Sequence, residues 1–331
     1  MSSRLKVMLI WCCLWPAISC AGEKYGDHPA AQQVIDELVV EENFDRASLQ
    51  AVFAEAERQE SILEAISRPA EKAKPWYEYR EIFLTPEREK EGVVFYNKYR
   101  DTLEQAERET GVPAEVIVAI IGVETYYGRI TGKYRVIDAL TTLAFEYPRR
   151  SEFFTSELKH YLVLTRDQGI DPLVMKGSYA GAMGFGQFMP SSYRAYAIDF
   201  DDDELIDIWE NPVDAIGSVA NYFKEHGWQP GETVVVAAQA GPDAPGDMFV
   251  QGRKGLKPEH TVAQFTAAGI LPAQELPPDE MATAMKFELP DGQEYWLGLH
   301  NFYVITRYNH SAMYAMCVHQ LSQRLAALIA G

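Results

Sequence analysis

Cysteine is scarce, at four in 331 residues, and three of the four fall in the first twenty positions. Cys12 and Cys13 lie in a leader and Cys20 at its end, so only Cys317 is left to the body of the chain. An intrachain disulfide is therefore excluded. Cys317 sits in the helical run 311–329 and reads as a small buried apolar residue. Long hydrophobic runs are also lacking. The apolar stretch Val7 to Trp15 is too short to span a bilayer stably. Arg4 and Lys6 precede it, and Pro16 and the small residues from Ala17 to Gly22 follow. That order of basic, apolar and small marks 1–21 as a secretory signal segment, with the periplasm as destination. Two processing routes stay open: cleavage after Ala21, or acylation of Cys20 in the degenerate lipobox Ala17-Ile-Ser-Cys20, giving an outer-membrane lipoprotein.

Positive charge is the third shortage: 30 Lys and Arg against 48 Asp and Glu, net −18. Without Arg4 and Lys6 the exported chain is more acidic still. Such a chain has no general attraction to nucleic acid or anionic membranes, so no nucleic-acid partner is expected. Internal repeats and low-complexity tracts are absent. Aromatics, by contrast, reach 12%, with 18 Tyr and 6 Trp. Their flat faces and polar tips suit sugar rings as well as core packing.

Apolar spacing predicts a mainly helical α+β protein. Two helices are expected over 29–66, then an aromatic connector over 70–85 and one long polar helix over 86–110, ended by Gly111. Pro113 is placed at the first position of a helix running to Tyr127, apolar almost all round and so buried. Further helices fit 137–147, 150–168, 190–197 and 212–225, the last with Asn211 as N-cap and Gly227 as stop. Between 228 and 295 the chain turns to short β-prone runs rich in Gly and Pro. Helices resume over 302–307 and 311–329.

Glu124 is out of place in this pattern. Ile117, Ile120, Ile121 and Glu124 share one helix face, which puts a carboxylate on a buried apolar stripe. Burial without a partner raises a carboxyl pKa, as a general acid near neutrality requires. An ion pair or a helix-end cap would explain the residue equally well. A second unusual stretch runs from Lys176 to Pro190, with Gly177, Gly181, Gly184 and Gly186 before a helix start. A tight loop of this kind lets backbone approach a ligand closely. No Lys-Ser or Lys-Thr follows to make a phosphate cradle. Ser178 and Gln187 instead offer neutral hydrogen-bonding groups suited to hydroxyls and acetamides, and a purely structural turn is the alternative.

In order along the chain stand Ile-Gly-Val-Glu124-Thr-Tyr-Tyr-Gly, Ala-Leu-Thr-Thr-Leu-Ala-Phe-Glu-Tyr-Pro-Arg149-Arg150, Gly-Ala-Met-Gly-Phe-Gly-Gln-Phe-Met-Pro and Asn-Pro-Val-Asp-Ala-Ile-Gly-Ser-Val-Ala-Asn-Tyr222-Phe. His-Asn-Phe-Tyr-Val-Ile-Thr-Arg-Tyr308-Asn309-His-Ser follows. Together they resemble the B-type lytic murein transglycosylases of Gram-negative bacteria, over most of the chain after its signal. The resemblance implies a lysozyme-like helical core (111–230), an added N-terminal helical domain (22–110) and a small α/β insertion (231–294). A C-terminal segment (295–331) would complete the groove. It implies cleavage of the MurNAc-β-1,4-GlcNAc bond of peptidoglycan with 1,6-anhydro-MurNAc ends. Glu124 would be the sole acid and then the base, and no cofactor would be required for the chemistry. Ser178, Gln187, Phe188, Tyr222, Tyr308, Asn309 and Tyr314 match positions lining the glycan groove. Arg149, Arg150 and Phe153 match positions beside it.

The acidic run from Asp199 sets Asp201 and Asp203 at positions 3 and 5 of an EF-hand-like loop, with the Leu205 carbonyl at 7 and Glu210 at 12. Glu204 replaces the usual glycine at 6. The resemblance adds Asp214 as an alternative ligand to Glu210. A structural calcium ion is one reading of this loop and a solvated acidic loop the other. Three rival functions remain. A muramidase would use the same Glu124 with water and a second carboxylate, for which Asp138, Asp167 and Asp171 are the candidates. A catalytically silent glycan-binding or scaffold protein is the second, and a calcium sensor the third. The expected partners are glycan strands and other cell-wall proteins, and the expected state is a monomer.

Overall fold

The computed structural model describes residues 23–67, 74–250 and 252–331. The signal segment, with Cys12, Cys13 and Cys20, and positions 70–73 of the connector lie outside the described residues. The chain opens with α1 (Pro29–Glu42), α2 (Arg46–Glu55) and α3 (Glu60–Ser67), three helices where two were expected. The chain leaves helix at Ala56 because the next N–H groups find other partners: Glu57 donates to Asp138 Oδ1 at 2.9 Å and Gln59 to Thr142 Oγ1 at 3.0 Å.

The connector is not irregular. It holds α4 (Trp76–Tyr79) and a 3-10 turn, Arg80–Ile82. The long helix expected over 86–110 is two, α5 (Pro86–Lys98) and α6 (Arg100–Thr110). Tyr99, at φ −117° and ψ 27°, breaks it and lays its ring against Phe95 at 4.8 Å. Gly111, at φ 71°, ends α6 as a left-handed cap. Pro113 stands one position earlier than expected, as the N-cap of α7 (Ala114–Thr125).

Helix α7 is the centre of the molecule. Ile117 through Ile121 are wholly buried, as all-round apolarity requires, and α5, α6, the helix Pro212–Glu225 and the last helix pack on it. Two short strands, β1 (Tyr134–Arg135) and β2 (Lys176–Gly177), pair across α8 (Val136–Glu146) and α9 (Ser151–Asp167). Next come α10 (Pro190–Tyr196) and α11 (Pro212–Glu225), whose Asn211 cap accepts from the Val213 N–H.

A five-stranded antiparallel sheet follows, formed by β3 (Val235–Ala240), β4 (His260–Thr261), β5 (Ile270–Pro272), β6 (Met281–Leu289) and β7 (Gly292–Gly298), in the order β4-β6-β7-β3-β5. One side covers a separate small core around Phe249, Val262, Phe265 and Leu297, to which α12 (Val262–Ala267) contributes. The β6–β7 hairpin is longer than the short runs expected, because Ala282 and Ala284 weaken the alternating pattern while still being buried. Helices α13 (His300–Tyr308) and α14 (Ala312–Ala330) return the chain to the main core, where α14 lies on α7 and buries Cys317. Among the described residues no helix is long and apolar enough to cross a membrane.

Candidate active site

Glu124 occupies the last turn of α7 and is partly exposed. The Tyr314 hydroxyl, from the first turn of α14, donates to its Oε1 at 2.5 Å. Burial pushes the Glu124 carboxyl up from 4.5 to about 7, and the Tyr314 hydrogen bond pulls against that rise. Among the described residues no charged group contributes. The acid-or-cap ambiguity thus narrows to a desolvated carboxyl with one phenol partner.

Besides Tyr314, two tyrosines share the Glu124 field. Burial holds the Tyr308 phenol well above its ordinary value, and Glu124 adds to that rise. Tyr79, pushed up to about 12 by burial, is also raised by Cys317 and by Glu124. Sequence reasoning passed over Tyr79 as part of a connector. The density of aromatics from Trp76 to Tyr79 was the available signal.

The glycine-rich loop docks onto the end of α7. Thr125, next to Glu124, donates its hydroxyl to the Phe185 carbonyl at 2.9 Å and accepts the Gly128 N–H at 3.0 Å. The Tyr308 hydroxyl donates to the Gly186 carbonyl at 2.6 Å, and a Cβ on Gly186 would stand 2.7 Å from the Tyr308 hydroxyl oxygen. Gln187 takes a left-handed φ of 53° and spends its amide N–H pair on the Thr131 and Gly184 carbonyls, so its carbonyl oxygen is the end it can offer a ligand. Ser178 Oγ accepts the Ala180 and Ala182 N–H groups at 3.2 and 3.0 Å.

Phe188, Tyr222 and Tyr308 form one ring cluster, with Tyr222 and Tyr308 T-shaped at 4.7 Å and Phe188 5.8 and 5.9 Å from them. Phe188 and Tyr222 are almost fully buried, and the Tyr222 hydroxyl serves the Arg307 carbonyl. They brace the wall more than they face a ligand. Asn309 is exposed and ends α13 in extended backbone. Arg150 lies over Phe153 at 4.1 Å, and Phe153 is 37% exposed. Among the described residues, no hydrogen bond or ring contact joins Arg149, Arg150 or Phe153 to Glu124.

The candidate second carboxylates are engaged elsewhere. Arg135 holds Asp138 through Nε and Nη2 at 2.7 and 2.8 Å, Arg166 pairs with Asp167 at 2.8 Å, and Asp171 accepts the Leu173 N–H at 2.9 Å.

In the acidic loop, carboxylate oxygens of Asp199, Asp201 and Asp203 come within 4.8 Å of one another. Glu204 adopts φ 72°, reaching without glycine the left-handed turn that position 6 requires. Asp214 is not in that cluster. It is buried and accepts the Phe200 and Asp207 N–H groups, both at 2.8 Å. Leu205 is exposed, and the Glu210 carboxylate does not join the cluster.

The transglycosylase SLT domain model matches residues 26–323. The chain belongs to that family. The transglycosylase is 48% identical over 314 residues to the membrane-bound lytic murein transglycosylase B of Escherichia coli (strain K12), covering 92% of this chain and 85% of the relative. A crystal structure of soluble lytic transglycosylase SltB1 from Pseudomonas aeruginosa superposes with a TM-score of 0.87 at 50% identity, covering 92% of this chain and 100% of that one. Escherichia coli lytic transglycosylase Slt35 in complex with calcium gives a TM-score of 0.85 at 48% identity, covering 94% and 96%. The transglycosylase is accordingly a peptidoglycan-cleaving lyase with a lysozyme-like helical core.

Proposed function

We propose that Glu124 is the single catalytic carboxyl and that the products carry 1,6-anhydro-MurNAc ends. The observation that carries this is a carboxyl raised to about 7 by burial, with no second carboxylate acting on it among the described residues. Near neutrality Glu124 is substantially protonated, so it can give its proton to the glycosidic oxygen as the C1–O bond breaks. The substrate's own acetamide steadies the oxocarbenium-like carbon. The ionised Glu124 then takes the proton of the muramyl C6 hydroxyl while O6 bonds to C1, which restores the acid and consumes no water. Tyr314 favours the ionised form in that second half-reaction. Ser178, the Gln187 carbonyl and Asn309 would bind the glycan, and Arg149 and Arg150 would meet its lactyl or peptide carboxylates further out, with the Phe153 ring under the Arg150 guanidinium.

In this reading 111–230 and 295–331 together form the catalytic part, 22–110 the added helical domain and 231–294 the insertion. The contact of α14 with α7 and the separate small core of the sheet support the division. The three clustered aspartates and the Glu204 turn fit a calcium ion held for structure, as does the calcium complex of the similar Slt35. The enzyme works outside the cytoplasm, and the naming of its E. coli relative as membrane-bound favours acylation of Cys20.

The test is digestion of purified peptidoglycan, with products weighed by mass spectrometry and Glu124→Gln run alongside. Products one water lighter than reducing muropeptides are expected, and their yield should fall about 10²- to 10⁴-fold in the variant. Reducing ends would replace the reading with a hydrolase. Undiminished activity in Glu124→Gln would remove Glu124 from the chemistry.

A further inference from the structure

Helix α7 ends one residue after Glu124, and the chain then takes a left-handed conformation twice running, at Tyr126 (φ 52°) and Tyr127 (φ 61°). Side chains other than glycine resist that region, so two in succession persist only where the surroundings over-determine them. Arg129 lies over the Tyr126 ring at 5.3 Å and the Tyr127 N–H donates to the Ile121 carbonyl at 3.3 Å, and one residue of α5 engages both tyrosines. Arg88 donates Nη1 to the Gly122 carbonyl, which also accepts the Tyr126 N–H at 3.1 Å. Its guanidinium lies over the Tyr126 ring at 4.8 Å and over Phe83 at 5.4 Å. The Arg88 main-chain carbonyl accepts the Tyr127 hydroxyl at 2.8 Å. The Tyr127 ring has no slack: a Cβ on Gly122 would stand 2.7 Å from it, and one on Gly92 2.5 Å from its hydroxyl oxygen.

Arg88 therefore holds both strained residues and the last turn of α7 at three points. It does so without a carboxylate partner among the described residues, and its Nε is buried with no acceptor there. A cation at the carboxyl end of a helix is favourable. A half-buried guanidinium with an unpaired N–H is nonetheless an expensive way to cap one helix, and an apolar side chain could pack there more cheaply. What a packed apolar residue could not do is fix the Gly122 carbonyl and the Tyr126 ring together, and with them the direction of the Glu124 side chain.

The geometry points to Arg88 as a positioning residue for Glu124, acting through the left-handed pair Tyr126 and Tyr127. The role rests on the reading of Glu124 as the acid. Arg88 touches no substrate. It keeps the carboxyl within hydrogen-bond reach of the glycosidic oxygen and then of the C6 hydroxyl, and an error near 1 Å in such a placement costs about 100-fold in rate.

Arg88→Met, Arg88→Lys and Glu124→Gln would be compared in the full exported chain on solubilised glycan strands, with initial rates over a range of substrate concentrations and melting curves alongside. Arg88→Met is expected to lower kcat about 10- to 100-fold with KM little changed and a cooperative melt retained. Arg88→Lys, which keeps the cation and one donor, recovers part of the rate. A dead Glu124→Gln beside an Arg88→Met with wild-type kcat, or one whose loss lies only in KM or follows the unfolded fraction, overturns the positioning role and leaves the acid in place. An active Glu124→Gln overturns the acid first, and the positioning role with it. If Arg88→Met does not fold, Tyr126→Leu decides, since it removes the ring that the Arg88 guanidinium covers: kcat falls at constant KM, or the proposal is abandoned.

Discussion

A carboxyl raised by burial destabilises the fold wherever it is ionised. Glu124 is protonated in both folded and unfolded chains below its ordinary 4.5, so at acid pH it has no effect. As pH rises from there through about 7, the unfolded chain ionises first and stability is lost. Above that range the cost approaches about 3 kcal/mol, or somewhat less because the residue is partly exposed. Glu124→Gln is therefore expected to melt higher than the parent at pH 8 and at the same temperature at pH 4, which differential scanning calorimetry at the two pH values would read. Tyr314→Phe removes the hydrogen bond that favours the ionised form. The alkaline limb of its pH–rate profile should move upward, and a limb that stays in place would mean the hydrogen bond does not govern the acid. The sequence placed Glu124 on the buried stripe by spacing alone. The resemblance named Tyr314 as a groove position but could not supply its bond to Glu124, 190 positions away, and the sequence missed Tyr79, whose α4 folds where no element was expected.

Among elements, the acidic loop and α11 are coupled through Asp214. Both its oxygens accept main-chain N–H groups of the loop, so Asp214→Asn loses one acceptor and costs about 1–3 kcal/mol. Its melting temperature should drop, with Glu124 chemistry spared in the protein that remains folded. Calcium at 100 times its Kd would add about 2.7 kcal/mol to the parent, visible as a rise in melting temperature that a chelator reverses. No rise at millimolar calcium would reduce the loop to a solvated turn. The EF-hand-like spacing was legible, and the missing glycine argued against it. The structure answers that objection with Glu204 at φ 72°. The splitting of the long helix at Tyr99 was not legible, because the apolar spacing continues unbroken through it and only the packing of Phe95, Tyr96 and Leu103 fixes where the axis shifts.

At the scale of the molecule, a net charge of −18 meets a polymer whose stem peptides are also acidic. Long-range repulsion acts at low ionic strength and is screened beyond about 10 Å at 0.1 M salt. Association with sacculi should therefore strengthen, or at least not weaken, between 20 and about 200 mM sodium chloride, as co-sedimentation would measure. A steep loss of binding with salt would point instead to a local basic patch around Arg149 and Arg150 as the main contact.

The sequence alone determined the helical class, the buried α7 with a carboxylate on it, the glycine loop and the acidic run, because periodicity, turn residues and local charge are properties of neighbours along the chain. Only the tertiary structure decided which side chains meet Glu124, which carboxylates are tied to Arg135 and Arg166 and so withdrawn from it, and what holds Tyr126 and Tyr127 in a strained turn. Desolvation and hydrogen bonding depend on groups brought together from α4, α5, α7 and α14, and no local pattern encodes distances between helices that remote in sequence.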